Sequence, residues 1–238
     1  MSVIALHGIR GGTGTTSVTA ALAWALSQLG EKVLAIDFSA ANLLRLHFAM
    51  PYDSPRGWAT AERAGSGWEH GAMRYNSRLD FLPFGQLSGA EEGSVSCDWQ
   101  NNLTKLLNTN VYDWILLDVP VGEPLRAAQA ISMADHALIL LQADSQSHVR
   151  LHQQPLPVNC HYLVNQFAPV SQLQQDILLL WQQTLPQLLP FTLHRDEAMA
   201  ESLAGKQPVG ELHPQSKSSQ DIITLANWCL INLRSMPK

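Results

Sequence analysis

The sequence predicts an α/β fold: a doubly wound, mostly parallel sheet with helices on both faces. Three observations predict it. The chain has 238 residues, enough for one domain with a large core and short for two, so residues 1–238 are read as a single domain. Hydrophobic residues make up 46% and charged residues 15%, a balance that favours burial over disorder. Short, continuous apolar runs alternate with longer stretches of helical periodicity. Strands that are apolar throughout belong to parallel sheets covered on both sides.

The elements follow in order. Residues 3–7 read as a strand and run into a glycine-rich turn. Residues 16–29 carry apolar positions at helical spacing, and Gly30 is a stop signal. Further strands are expected at 32–37, 79–84, 114–118, 137–142, 161–165 and 188–193, with helical patterns at 99–107, 124–134 and 172–185. Residues 51–76 and 86–98 are rich in Gly, Ser and Pro and lack a clear period. They are expected as loops or short helices over the binding face. The apolar segment 220–233 reads as a helix docked on the sheet, because a membrane-surface helix wants a Lys/Arg-rich face and only Arg234 and Lys238 lie near.

Composition excludes several classes. The net charge is −5 and no Lys/Arg run occurs, so nucleic acid is not an expected partner. Cys97, Cys160 and Cys229 are scattered and odd in number, a poor disulfide framework and a poor zinc set. His7, His47, His148 and His161 are read as ordinary histidines before a metal site. Trp58, Trp68 and Trp99 are expected under a long loop, the rival reading being partner anchors. The N-terminus has no signal-peptide pattern and no window is long and apolar enough to span a membrane; a cytoplasmic location is the expectation.

The segment HGIRGGTGTTS lies between the first strand and the first helix. Backbone N–H groups at a helix N-terminus, on a loop without bulky side chains, make an anion site. Gly11, Gly12 and Gly14 let the backbone approach phosphate oxygens, with Arg10, Thr13, Thr15 and Ser17 completing the loop. Thr16 is expected to open the helix, with its hydroxyl placed for Mg²⁺. A strict Walker A motif requires Lys where this chain has Thr15. Ligands of open α/β sheets sit at the carboxyl ends of strands, so Asp37, Asp118 and Asn165, each ending a strand, are the next candidates. Asp37 and Asp118 suit Mg²⁺ held through water.

The loop resembles the deviant Walker A of the MinD/ParA family of P-loop proteins, written KGGxGKT[TS]. Gly11, Gly12, Gly14, Thr16 and Ser17 match it. Arg10 takes the place of the signature Lys and Thr15 that of the phosphate-clamping Lys. The resemblance implies an ATP site in which the signature side chain reaches across a homodimer onto the partner's nucleotide. A forked, always-charged Arg10 suits that role. It also implies that the second acid of the D-x-D motif, which handles the attacking water, is Ser39 here. Serine is no carboxylate base at neutral pH. Asn42 is either a switch contact or a helix-start residue. Asn165 would read the adenine edge, and His194, Arg195 and Asp196 would lie near the base; for Asp196 a helix cap is the alternative.

The double departure RGGxGTT resembles one branch, the BcsQ (YhjQ) family of MinD-like proteins from bacterial cellulose-synthesis operons. Residues 18–24, 82–88, 149–157, 188–211 and 222–230 also resemble that branch. The resemblance implies a cytoplasmic subunit that binds ATP with Mg²⁺ and is recruited to the cytoplasmic face of the inner membrane. Its implied partners are BcsR, BcsE and the synthase BcsA. With both Thr15 and Ser39 in place of the working residues, hydrolysis is expected to be slow or absent. Bound ATP would then act as structural glue or a long-lived switch. The rival readings are an active positioning ATPase cycling on a surface, a nucleotide-free scaffold, and a metabolic transferase or kinase.

Overall fold

The computed structural model describes residues 1–88 and 97–234. Its strands are β1 (Ser2–Gly8), β2 (Val33–Asp37), β3 (Met73–Asn76), β4 (Leu79–Leu82), β5 (Trp114–Val119), β6 (His136–Leu141), β7 (Cys160–Phe167) and β8 (Leu188–His194). Its helices are α1 (Thr15–Gln28), α2 (Trp58–Arg63), α3 (Trp99–Thr109), α4 (Pro124–Ser132), α5 (Ser145–Gln153), α6 (Gln172–Thr184), α7 (Glu197–Ala204), α8 (Val209–Leu212) and α9 (Lys217–Asn232). One sheet of eight strands runs β3-β4-β2-β5-β1-β6-β7-β8. Every neighbouring pair is parallel except β3 with β4. The α/β expectation therefore holds, with one antiparallel edge.

The pleat explains why the central strands are apolar throughout. Ile4, Leu6, Val33, Ala35, Trp114 and Leu116 face the side covered by α1 and α9. Their neighbours Val3, Ala5, Leu34, Ile36, Ile115 and Leu117 face α3 and α4. Beyond β1, Ile139, Leu141 and Val164 pack with Trp181 of α6. Successive side chains point to opposite faces, so a strand covered twice has no polar alternation. Helix α1 is itself sandwiched: Val18, Leu22 and Leu26 bury against the sheet and against Ile222, Leu225 and Cys229 of α9. The C-terminal segment is thus a docked helix, as expected.

Several elements differ from expectation, each for a physical reason. β3 reads MRYN, is only half-buried and sits at the sheet edge, so no apolar run announces it. α5 reads SQSHVRLHQ and buries only Ser147; a polar helix has no apolar stripe to detect. The apolar run at 79–84 leaves the sheet at Leu82, before Pro83. In the irregular stretch, α2 is flanked by 3₁₀ turns at Leu44–Phe48 and Trp68–Gly71. Of the loop expected at 86–98, residues 89–96 lie outside the described residues, as does Lys238.

That stretch carries an aromatic cluster. Trp58 meets Trp99 edge-on at 5.0 Å and Phe84 at 4.9 Å, and Phe38 lies 5.0 Å from Trp99. Trp68 packs 5.4 Å from Trp99. Trp58 and Trp99 are buried and Trp68 is half-buried against them, so burial rather than partner anchoring describes these tryptophans. Trp58 Nε1 donates to the carbonyl of Asp37 at 2.8 Å, tying the cluster to the end of β2. The cysteines are free, and burial pushes the Cys229 thiol up to about 12, so it behaves as a small core hydrophobe. Trp58→Ala removes several ring contacts and this hydrogen bond. It is expected to cost about 3–5 kcal/mol in urea unfolding; a loss under about 1 kcal/mol would show that the cluster carries little of the local stability.

Candidate functional site

The chain reverses direction across the sheet at β1, with β5 on one side and β6 on the other. That switch point opens a crevice at the carboxyl edge of the strands. The loop from Gly8 to Gly14 fills its floor. Gly12 and Gly14 adopt φ of +81° and +83°, a region open to glycine. At Gly14 a Cβ would also sit 2.7 Å from Asn165 Nδ2, so no other residue fits without displacement.

The loop's hydrogen bonds are one-sided. The Arg10 carbonyl accepts from Thr13 Oγ1 at 3.2 Å, and the Gly11 carbonyl from Arg10 Nη1 at 2.9 Å. The Gly12 carbonyl accepts from Gln142 Nε2 at 3.3 Å and Gln166 Nε2 at 3.0 Å. Asn165 Nδ2 donates to the Thr13 carbonyl at 2.7 Å, and Val18 N–H to the Gly14 carbonyl at 3.0 Å. Five successive carbonyls are satisfied. The N–H groups of Gly11, Gly12, Thr13 and Gly14 have no acceptor among the described residues. The first turn of α1 has no side-chain cap, so its N–H groups are also open. They face a cleft of about 370 Å³ walled by Ser39, Leu43, Asp118 and Val121. Unpaired backbone donors at a helix N-terminus bind anions.

Charge in this cleft is arranged unusually. Thr15 brings a neutral hydroxyl, 3.3 Å from that of Thr13. Arg10 turns back within its own chain, hydrogen-bonding Gln142 and pairing with Asp144 at 2.5 Å. Asp37 and Asp118 stand in register on adjacent strands, and both are fully buried. Asp37 accepts from the N–H groups of Ser39 at 2.8 Å and Leu44 at 3.2 Å. Burial first, then neighbouring Asp118, hold its carboxyl well above the ordinary value. Burial raises Asp118 to about 7, against a hydrogen bond from Thr16 that lowers it. Asp118 Oδ2 has no partner among the described residues. A buried, unpartnered carboxylate oxygen beside a second carboxylate and the Thr16 hydroxyl fits a hard divalent cation. Asp37 stands behind, with both oxygens engaged in shaping the loop after β2.

The remaining expected residues fall at a second cleft of about 270 Å³, which shares Gly14 and Ser17 with the first. Asn165, Arg195 and Asp196 all line it. Asn165 is buried and its amide nitrogen serves the loop. Arg195 is exposed. Asp196 caps α7 through Ala198 N–H at 3.1 Å and accepts from Ser218 N–H at 2.9 Å, so the capping alternative describes its bonds. His194 is fixed by Asp221 at 2.8 Å. α1 begins at Thr15, one residue before the expected Thr16. Asn42 does not cap the following 3₁₀ turn, whose N-cap position is Leu43 with no side-chain cap bond, and the buried Asn42 side-chain amide has no partner among the described residues. No group of three or more metal-binding side chains occurs among the described residues.

Gln142, Asp144 and Gln166 were not legible as site residues. Their one signal is position: polar residues at or just beyond the ends of apolar runs on the ligand edge of the sheet. Asp118 supplies a pH test. Its folded value near 7 exceeds the ordinary 3.8, so on raising pH the unfolded chain loses this proton first. Stability is lost across that window and the loss is complete above about 7. Asp118→Asn should raise the metal-free melting temperature by several degrees at pH 8 and leave it nearly unchanged at pH 4. An equal gain at both pH values would contradict the assigned cause.

The fold has counterparts among known proteins. The chain superimposes on the septum site-determining protein MinD from Pyrococcus horikoshii, complexed with Mg-ADP, with a TM-score of 0.77, 23% identity and 99% of both chains covered. It also superimposes on a cobyrinic acid a,c-diamide synthase from Mycobacterium smegmatis with bound ATP analogue and magnesium, at TM-score 0.75 and 18% identity, over 99% of this chain and 96% of that one. At these identities the likeness establishes the MinD/ParA-like fold. In sequence, the chain is 47% identical to the cellulose biosynthesis protein BcsQ of Escherichia coli K12, over 98% of this chain and 95% of that protein. The family model described as cellulose biosynthesis protein BcsQ matches residues 1–230. Both matches run over nearly the whole chain, and the chain belongs to the BcsQ family.

Proposed function

We propose that this chain is an ATP- and Mg²⁺-binding subunit of the bacterial cellulose synthesis and secretion machinery, working as one P-loop unit that dimerises around its nucleotide. The observation that carries the reading is the one-sided loop, with every carbonyl from Arg10 to Gly14 satisfied and the adjoining N–H groups open to the cleft. Triphosphate would lie in the first cleft, with Asp118 and Thr16 toward its cation and Asp37 behind them. The base would lie in the second, beside Asn165, Arg195 and the Asp196 loop. The solved neighbours hold Mg-ADP or an ATP analogue with magnesium, which supports the ligand class. The family membership supports the cellulose role.

Dimerisation has two supports. The cleft has no lysine of its own, so triphosphate charge there calls for a cation from elsewhere. Its wall exposes apolar side chains: Leu43 is 42% and Val121 41% exposed. A second copy of the chain would cover them and bring its Arg10 to the nucleotide. BcsR, BcsE and the synthase BcsA are the proposed partners, met at the cytoplasmic face of the inner membrane. No described helix is long and apolar enough to cross a membrane, so the proposed attachment is through partners.

Slow hydrolysis follows from what the cleft wall offers. Ser39 stands where a water-activating acid is wanted, and its hydroxyl accepts from Ala41 N–H at 3.3 Å. General-base help is worth roughly 10²–10⁴ in rate. The ATP would then serve as a long-lived clamp, shifting the population toward the dimer.

Two experiments test this. Nucleotide extracted from the purified protein and followed for hours should remain largely ATP; several turnovers per minute would favour the positioning-ATPase reading. Arg10→Ala, followed by light scattering with ATP and Mg²⁺, should weaken the dimer at least about tenfold, the loss expected for one charge-assisted contact. An unchanged dimer would remove Arg10 from the role.

A further inference from the structure

Arg10 occupies a defined place within its own chain. One guanidinium nitrogen donates to the Gly11 carbonyl at 2.9 Å, and the other meets Gln142 Oε1 and Asp144 Oδ2, the latter at 2.5 Å. The Nε–H is buried with no partner among the described residues, so this seat satisfies the fork incompletely. The two charged side chains are 20% and 32% exposed, a setting in which an ion pair holds geometry at modest strength. A triphosphate carries more charge than one carboxylate and accepts from a guanidinium with matching geometry. The seat is ordered enough to hold Arg10 and weak enough to release it.

We propose that Asp144 and Gln142 are positioning residues that form a holding seat for Arg10, so that dimerisation requires the exchange of Asp144 for the nucleotide of a second copy. This rests on the dimer reading above and adds its regulation. The seat connects to the rest of the fold on two sides. Gln142 Nε2 also bonds the Gly12 carbonyl at 3.3 Å, so the group that seats Arg10 also orients the anion loop. Asp144 Oδ1 accepts from Ser147 N–H at 2.8 Å and is the N-cap of α5. Burial pushes the Asp144 carboxyl up, but its bonds from Ser147 and Arg10 outweigh that and leave it below the ordinary value. It therefore stays charged at neutral pH. α5 is tied in turn to α6 by Trp181 Nε1 donating to His148 Nδ1 at 3.2 Å. A partner that moves α5 would alter how firmly Arg10 is held.

The test is a cycle on the full chain. Asp144→Asn keeps a cap for α5 while removing the charge. The protein concentration at half-dimer in ATP and Mg²⁺, read by light scattering, is expected to fall roughly two- to fivefold, the range of one screened ion pair. In an Arg10→Ala background the same change should have no effect. Asp144→Ser, which also caps the helix, should reproduce the fall and guards against a folding defect in one variant. A half-dimer concentration that is unchanged or raised by Asp144→Asn, or that falls equally without Arg10, overturns the seat and leaves the dimer reading standing. A wild-type chain that stays monomeric with ATP and Mg²⁺ at every concentration overturns both.

Discussion

The direction in which one short loop points its peptide groups underlies the rest of the molecule. A peptide unit has a donor at one end and an acceptor at the other. When neighbours claim the acceptors of residues 10–14, the donors must turn the other way. Thr13, Gln142, Asn165 and Gln166 contribute side chains to that task. Gln142 comes from the end of β6 and Asn165 and Gln166 from β7, so the loop is held from the β6–β7 side of β1. An anion site of this kind needs no charged side chain, because the partial charges of aligned N–H groups and the α1 terminus provide the attraction.

The charged groups are arranged around that site with a deficit. Asp37 and Asp118 lie beneath the loop, and Glu123 adds its field to Asp37. Among the described residues no lysine lines the cleft and Arg10 is paired with Asp144; the Arg45 guanidinium feels the Asp37 charge but is spent on the Asn42, Pro51 and Tyr52 carbonyls. Left alone, the buried acids are driven toward protonation, as their raised values record. Cation binding would relieve this cost. Repulsion between acids that destabilises the empty cleft would thereby add to the preference for its filled state. On the proposed reading, a second chain would supply the positive charge that a triphosphate in this cleft calls for.

The surroundings divide their labour. The aromatic cluster of Trp58, Trp99, Phe38 and Phe84 anchors the end of β2. α1 is clamped between the sheet and α9. The parts that hold the acids and the loop are thus built into the cores. Arg10, Leu43 and Val121 lie where the cleft meets solvent. Rigid support beneath and exchangeable contacts above is the division of roles expected where binding changes a molecule's state of association.

Much of this was legible in the sequence, because it rests on local properties. Burial on both faces writes itself as unbroken apolar runs, and seven of the eight strands were found in that way. The glycines at 11, 12 and 14 and the acids at 37 and 118 follow those runs at spacings that imply a phosphate loop. β3 and α5 left no such record, being too exposed to need an apolar stripe. What only the tertiary structure decided is which polar group answers which. Asp37 reads as a ligand in the sequence; the fold adds that each of its oxygens also accepts one N–H, from Ser39 and Leu44, and so shapes the loop after β2. Arg10 reads as an arm reaching outward; only the fold shows that in the single chain it is held by groups 132 and 134 positions away. Hydrogen bonds saturate, so the role of a polar side chain depends on competitors that chain folding alone brings within reach.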